Sequence, residues 1–519
     1  MSGRLGRKWV FVAATLLAAC GGGGGDGAKQ PQEQPPPVVP PPVQPPVDPP
    51  VVVPPPDAQP AVTLAAPATV GSWSFYAAEG DKVGVYDASP DEAGNVYVAA
   101  GAAVFAKARS DAEFKAFDAK SAGLTTNCDE AQTLLCPVIS VAGAAPGRAV
   151  LGFMGMGTDG DLDPEWWMSS GGADVVDFDA AAGTLARARH VFIAAPPERV
   201  NETGAYDFWN LGRKKVRQVH RIAVEHDTAR GSHYGDVWFA GSHGSFSVLI
   251  ANAAERGWHV DATKYPGFEA AQDVWEHDHP DLRGVIYENG VPRKPGGEMI
   301  TGTATALAID PTTGDPWAAN GIRLAVKKGA GARADGWNAP MFPPKDGDWS
   351  AWTGFYDVWP DPIFTSATEF WANNPAYQDA VSSISFCPDG TLWIASEIHG
   401  LARRAPGEPL LDDVFEHVAI PPEYCWDEAG TSVCAVYSVA CDPKDGSVWA
   451  GLGYGVIGRY KDGAWTFPVP KTAPLFAQQN PVGSIQIDAY AGVDGRIVYF
   501  SHMATWKGAN GGLTVYRGP

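Results

Sequence analysis

The chain has 519 residues, 45% of them hydrophobic and 19% charged, and carries a formal net charge of -21. That acidity argues against nucleic acid as a partner and against direct docking on anionic lipid, while cations and basic partners stay compatible with it. Past the N-terminal segment about 450 residues remain, a length that ordinarily means several domains; repeat architectures break that rule, and no long helical period interrupts them.

In chain order, the first element holds Arg4, Arg7 and Lys8, an apolar run from Trp9 to Leu17, and then Leu17-Ala18-Ala19-Cys20. A run this short does not span a bilayer as a permanent helix, so residues 1–19 read as a secretory signal. Its last four residues resemble the lipobox of bacterial lipoproteins. The resemblance implies that Cys20 is diacylated and becomes the first residue of the mature chain. A further acyl chain on the freed amine is part of the same pattern, and two or more chains anchor a protein stably where one is marginal. Gly21 rather than Asp follows Cys20, which in that family favours the outer membrane. Residues 20–61 are Gly-rich and then Pro-rich, as in Pro35-Pro36-Pro37-Val38-Val39-Pro40. Proline at this density forms neither helix nor central strand, so the segment reads as a disordered, extended tether. At ~3.1 Å per residue, about thirty such residues reach several nanometres.

Residues 62–519 carry a returning cassette: a turn with Gly or Asp, an aromatic-bearing strand, two small residues and a second Gly. It appears at Gly94 to Gly101, Gly235 to Gly241, Gly314 to Gly321, Asp389 to Ser396 and Asp445 to Gly451, with weaker copies at Arg148 to Phe153 and Gly495 to Phe500. Before most copies lies an apolar strand such as Ile222-Ala223-Val224 or Ile384-Ser385-Phe386, so each unit reads strand, tight turn, strand. The turn residue supplies positive φ, the aromatic wedges between neighbouring sheets, and the small pair lets them approach. The pattern predicts an all-β protein, a β-propeller of about seven blades. The last unit has three strands, within Ile485 to Arg517, while a Gly-x-Trp strand stands unclaimed at Gly71-Ser72-Trp73-Ser74-Phe75. That strand is expected to complete the last blade, closing the ring and removing two sheet edges.

Six cysteines remain after Cys20, an even number that predicts three disulfides in an oxidising compartment. Cys128 with Cys136, and Cys425 with Cys434, bracket short inter-blade loops. Cys387 and Cys441 end the first strands of consecutive blades, which suggests a blade-to-blade bridge. The alternating carboxylates Asp159, Asp161 and Asp163 suit a hard cation such as Ca²⁺, although the segment lacks the full EF-hand pattern, and a solvated acidic turn is the favoured reading. At the face where second-to-third-strand loops and inter-blade connections open, His243, Asn320, His399, Tyr454 and His502 are candidates for a polar ring around the channel. Two insertions, Asp346 to Tyr377 and Phe268 to Met299, crowd aromatics near that face, and the second carries His277-x-His279, a spacing suited to a metal.

Asp389-Gly390-Thr391-Leu392-Trp393-Ile394-Ala395-Ser396, followed by Gly400-Leu401-Ala402-Arg403, resembles the repeat of two-component-regulator propellers, as does Val439 to Tyr460. In that family such propellers are periplasmic sensor regions joined to a kinase. No transmembrane helix or kinase core follows here, so the signalling role is not expected to carry over. The repeats are also similar to streptogramin-lyase-like propellers, because the motif specifies packing and not chemistry. No Gly-x-Ser-x-Gly elbow, HExxH helix or phosphate loop is present, which favours a binding or scaffold module in the cell envelope, with a protein or carbohydrate ligand. The alternative is a lyase or hydrolase acting on a polysaccharide or small molecule at the channel, with residues such as His243 and His399.

Overall fold

The computed structural model describes residues 62–156, 170–191, 218–241, 246–249, 251, 275–278, 286–288, 291–293, 304–320, 323–327, 352–357, 381–397, 399–407, 415–428, 431–469, 475, 480–492, 495–505 and 508–518. Among them, six sheets have four antiparallel strands each, joined in sequence order. The first blade is Asp87–Pro90, Val96–Ala99, Val104–Lys107 and Lys115–Phe117; the second is Val138–Gly143, Arg148–Phe153, Ala173–Asp179 and Thr184–Val191. The third is Val219–Val224, Val237–Gly241, Phe246–Leu249 and Trp275–Asp278, and the fourth is Ala304–Ile309, Pro316–Asn320, Arg323–Lys327 and Trp352–Asp357. The fifth is Val381–Phe386, Leu392–Ser396, Gly400–Arg404 and Glu416–Val418, and the sixth is Val436–Cys441, Val448–Leu452, Ile457–Lys461 and Ala464–Thr466. A terminal sheet holds Val482–Ile487, Arg496–His502, Gly512–Gly518 and the early strand Trp73–Glu79, with Trp73 opposite Tyr516. The first strands of these sheets neighbour one another in order, and Val482–Ile487 lies beside Asp87–Pro90.

Each element forms for the reason its cassette suggests. The hairpin glycines adopt left-handed φ, for example 80° at Gly94 and 68° at Gly446, which any other L-residue resists. Gly94 has a second reason: a Cβ there would stand 2.0 Å from Arg109 Nε. The aromatics of the second strands meet the next sheet edge to face. Tyr97 lies 6.0 Å from Phe178, Trp317 6.0 Å from Phe386, Trp393 5.7 Å from Tyr460, and Trp449 5.5 Å from Phe500. Trp73 joins that last cluster, 6.3 Å from Trp449 and 4.8 Å from Tyr516. Offset and T-shaped contacts of this kind are worth about 0.5–1.5 kcal/mol beyond the area they bury.

The first strands are tied to each other by side chains instead of a backbone ladder. In the second to sixth blades and the terminal sheet the register slips by one residue near the strand's start, after which stand Ser140, Arg221, Ala306, Ser383, Ser438 and Ser484. Asp87 holds the corresponding place in the first blade. Ser140 Oγ donates to Val219 O at 2.6 Å, Ser438 Oγ to Val482 O at 2.7 Å and Ser484 Oγ to Asp87 Oδ1 at 2.6 Å. Each bond crosses from one sheet to the next.

All three cysteine pairs are bonded as expected: Cys128–Cys136, Cys387–Cys441 and Cys425–Cys434. Cys387–Cys441 spans the fifth and sixth blades. The two long insertions are corrected in part. Trp352–Asp357 is the outer strand of the fourth blade and Trp275–Asp278 that of the third, so Trp352, Phe355, Tyr356, Trp275 and His277 belong to blades and not to free loops. The turn signals between them hid these outer strands, which lie far along the chain from the rest of their sheets.

Candidate functional site at the channel mouth

Seen from the residues upward, the polar groups gather at the end of the ring opposite to the one expected, where the first-to-second-strand hairpins turn. Inside the channel, Asp87 accepts from Ser484 Oγ, Val141 N–H at 3.1 Å and Ala88 N–H at 2.9 Å. Burial pushes its carboxyl above the usual range, against the pull of Arg221 and these donors. Arg221 reaches from the third blade to Gly483 O of the terminal sheet at 3.0 Å, two sheets that are not neighbours, so its guanidinium crosses the axis. The same group donates to His220 O at 3.0 Å. Burial, and then Arg221, lower the His220 imidazole to about 4. Asp87 and Arg221 are thus engaged, while His220 Nε2 is buried with no hydrogen-bond partner among the described residues.

At the mouth three hairpins contribute. Glu92 follows the first strand of the first blade, His226 and Tyr234 belong to the long hairpin of the third, and Tyr490 to that of the terminal sheet. Tyr234 Oη donates to both Glu92 oxygens at 2.7 Å, and His226 Nδ1 lies 3.0 Å from Glu92 Oε1. The Glu92 hydrogen bond, ahead of burial, pushes the Tyr234 hydroxyl up to about 12. The His226 and Tyr490 rings meet edge to face at 6.0 Å. Behind them Arg109 holds both oxygens of Asp488 at 2.9 and 3.0 Å and donates to Tyr490 O, which fixes the Tyr490 turn to the first blade. The Tyr490 hydroxyl is pushed up by burial first and then by Glu92, Tyr234, Asp488 and Asp91. Among the described residues no group of three His, Cys, Asp or Glu is placed to hold a metal ion.

Only some of the residues expected to form a ring fall among the described residues. His243 and the acidic triplet Asp159, Asp161 and Asp163 lie outside the described residues, as do Cys20 and His279. Asn320 ends the second strand of the fourth blade, and Tyr454 sits in the short turn Gly453–Gly455 of the sixth. His399 is half-buried, and its N–H donates to Ser396 Oγ at 2.8 Å. His502 is corrected outright. It is 1% exposed, with Nδ1 3.3 Å from Asn480 O and Nε2 2.8 Å from Thr514 Oγ1, so the ring has no free edge for a ligand. A carbonyl only accepts, so Nδ1 carries the proton and Nε2 accepts from the threonine.

No protein family matches the sequence, and no curated protein does. Solved structures are similar in fold: the WD40 repeats of RRP9 at 11% identity, covering 87% of this chain and 99% of that one with a TM-score of 0.45. YCF48 from Cyanidioschyzon merolae matches at 12% identity over 86% and 99% with a TM-score of 0.43. PorZ, a bacterial surface component of the type-IX secretion system of Porphyromonas gingivalis, matches at 12% identity over 86% of this chain and 51% of that one with a TM-score of 0.45. The fold is a β-propeller. At such identities and scores these likenesses add nothing to the reading of the propeller's site.

His226, Tyr234 and Tyr490 escaped the sequence reading because their hairpins depart from the cassette. The third hairpin is stretched by the short helix Thr228–His233, and the terminal one runs from Asp488 to Arg496. A length difference between otherwise matched turns is the signal that would have found them.

Burial also makes the propeller acid-sensitive. Desolvation lowers His502 to about 4, below the ordinary value near 6.5 that it regains on unfolding. The unfolded chain therefore binds the extra proton between those values, and stability present above pH 6.5 is lost as pH falls toward 4. We expect His502 to account for roughly 3 kcal/mol of that loss. Urea unfolding followed from pH 7 to 4 checks this, since His502→Gln should make the curve shallower and leave the part owed to His220, which burial lowers likewise; an equally steep curve in the variant would assign the acid sensitivity elsewhere.

Proposed function

We propose that the chain is an exported lipoprotein whose propeller, read as seven blades closed by the strand Trp73–Glu79, acts as a binding or scaffold module in the cell envelope. The observation that carries the binding reading is the mouth cluster: Glu92, His226, Tyr234 and Tyr490 come together from three separate sheets at the end where the first-to-second-strand hairpins turn. Three disulfides suit an oxidising compartment, in keeping with export. The lipobox-like residues ending at Cys20 support an acyl anchor in the outer membrane, with the proline-rich segment as spacer. A protein or carbohydrate ligand at the propeller face, and a Ca²⁺ at Asp159, Asp161 and Asp163, belong to the same proposal.

Metabolic labelling with an alkyne fatty acid tests the anchor. The wild type should be labelled and sediment with membranes, while Cys20→Ala should be neither. An unlabelled wild type would remove the anchor from the proposal. Photo-crosslinking from Tyr234 replaced by a photoreactive phenylalanine tests the module, with discrete adducts in intact cells expected and their absence counting against it.

A further inference from the structure

Resting on the binding-module reading, we propose that the channel mouth is a site for a primary ammonium group, held by Glu92, His226 and Tyr490. An ammonium has three N–H donors and no acceptor, so its partner must be a set of acceptors in a region of negative potential. The mouth provides both. The Glu92 carboxylate takes Tyr234 Oη and His226 Nδ1, and its side chain stays 18% exposed, which leaves lone pairs directed to solvent. Because an ionised carboxylate only accepts, the proton of a neutral His226 sits on Nδ1 and Nε2 presents a lone pair, on a side chain that is 32% exposed. The third acceptor is Tyr490 Oη, which has no hydrogen-bond partner among the described residues and belongs to a half-buried side chain.

The electrostatics run the same way. After burial, the carboxylates Glu92, Asp488 and Asp91 push the Tyr490 hydroxyl up, as negative charge beside it does, and the same charge favours a cation there. Behind the cluster, the Arg109 guanidinium is taken up by Asp488 and Tyr490 O. The rings of His226 and Tyr490, crossing edge to face, add polarisable walls that suit a cation better than an anion. An acidic sugar or phosphate would face Glu92 and be repelled.

Isothermal titration of the full chain in detergent tests this, with Nα-acetyl-lysine amide, cadaverine and spermidine as probes and Nα-acetyl-norleucine amide as the isostere without a charge. Saturable binding of the amines and none of the norleucine derivative is expected. Glu92→Gln should weaken binding by about tenfold or more, because a charge-assisted hydrogen bond becomes a neutral one. Tyr490→Phe should weaken it several-fold while leaving the melting temperature unchanged, since that hydroxyl supports nothing in the fold. Equal binding of the lysine derivative and cadaverine would identify a polypeptide side chain as sufficient; much tighter spermidine binding would identify a free polyamine. Failure of every amine to bind, or unchanged binding in both variants, overturns the ammonium site. Adducts from position 234 that persist in Glu92→Gln would then show the module to be sound and only its ligand chemistry misjudged.

Discussion

Replacing Arg496 with alanine is expected to cost about 3–5 kcal/mol, because it strands a buried carboxylate. The Arg496 side chain is 4% exposed and that of Asp442, its partner through Nε, 1%. The same guanidinium reaches Asp445 Oδ2 at 3.1 Å, where Arg459 at 2.7 Å and Lys461 at 3.2 Å also converge. Burial raises the Asp445 carboxyl, but Ser447, Lys461 and Arg459 outweigh it and hold the group well below the usual range. Arg496 begins the second strand of the terminal sheet and the two aspartates lie in the sixth blade's hairpin, so the network joins two sheets. Arg148–Asp177 offers the comparison: its geometry is equally good, but its side chains are 49% and 51% exposed, and Arg148→Ala should cost no more than about 1 kcal/mol. Urea midpoints of the two variants decide the matter. Equal shifts would mean that water reaches Asp442 after all.

Removing the Cys387–Cys441 bridge, as the double alanine variant, is expected to cost about 4 kcal/mol. The bond closes a sequence separation of 54, against 8 for Cys128–Cys136 and 9 for Cys425–Cys434, for which the same chain-entropy reasoning gives roughly 2.5 kcal/mol each. Its position is informative. Counted from the turn-closing hydrogen bonds, Cys387 occupies the place held by Asp91, Asp310 and Asp442 in other blades. Where Asp91 accepts from Asn95, Tyr97 and Gly147 of the neighbouring blade, Cys387 makes a covalent bond to the neighbouring blade instead. Denaturation of each double variant alongside the oxidised wild type checks the ranking. If loss of Cys128–Cys136 costs as much as loss of Cys387–Cys441, the loop-length argument does not govern this propeller.

Much of this architecture was legible because it repeats. The second strands, their turn glycines and the wedging aromatics lie where the cassettes place them, and the cysteine pairs followed from two short inter-blade loops and one pair of strand ends. The outer strands Trp352–Asp357 and Trp275–Asp278 were not legible, because long intervening segments separate them from their partners and only that pairing distinguishes a strand rich in tryptophan from a loop rich in it. The mouth cluster was not legible for a related reason. The cassette marks the positions that packing demands, so His502, at a marked position, is a packing residue. Glu92, His226, Tyr234 and Tyr490 sit in hairpins, and only the ring brings them within reach of one another. Asp87 and Arg221 were discoverable by aligning residues four before each turn, where serine recurs at Ser140 being matched by Ser383, Ser438 and Ser484, and the two charged residues stand out.

The pairing of Trp73 with Tyr516 sets the order of assembly. Sheets made of consecutive strands zip up as they emerge, each on its own short hairpins, but the terminal sheet waits for Gly512–Gly518 while Trp73–Glu79 stays without its partner. Loop closure over such a span is slow, and an unpaired edge is exposed throughout. Pairing of the terminal sheet is therefore a single late event that joins strands from nearly opposite ends of the described residues; synthesis that stalls before residue 512 releases finished sheets and leaves Trp73–Glu79 without that partner.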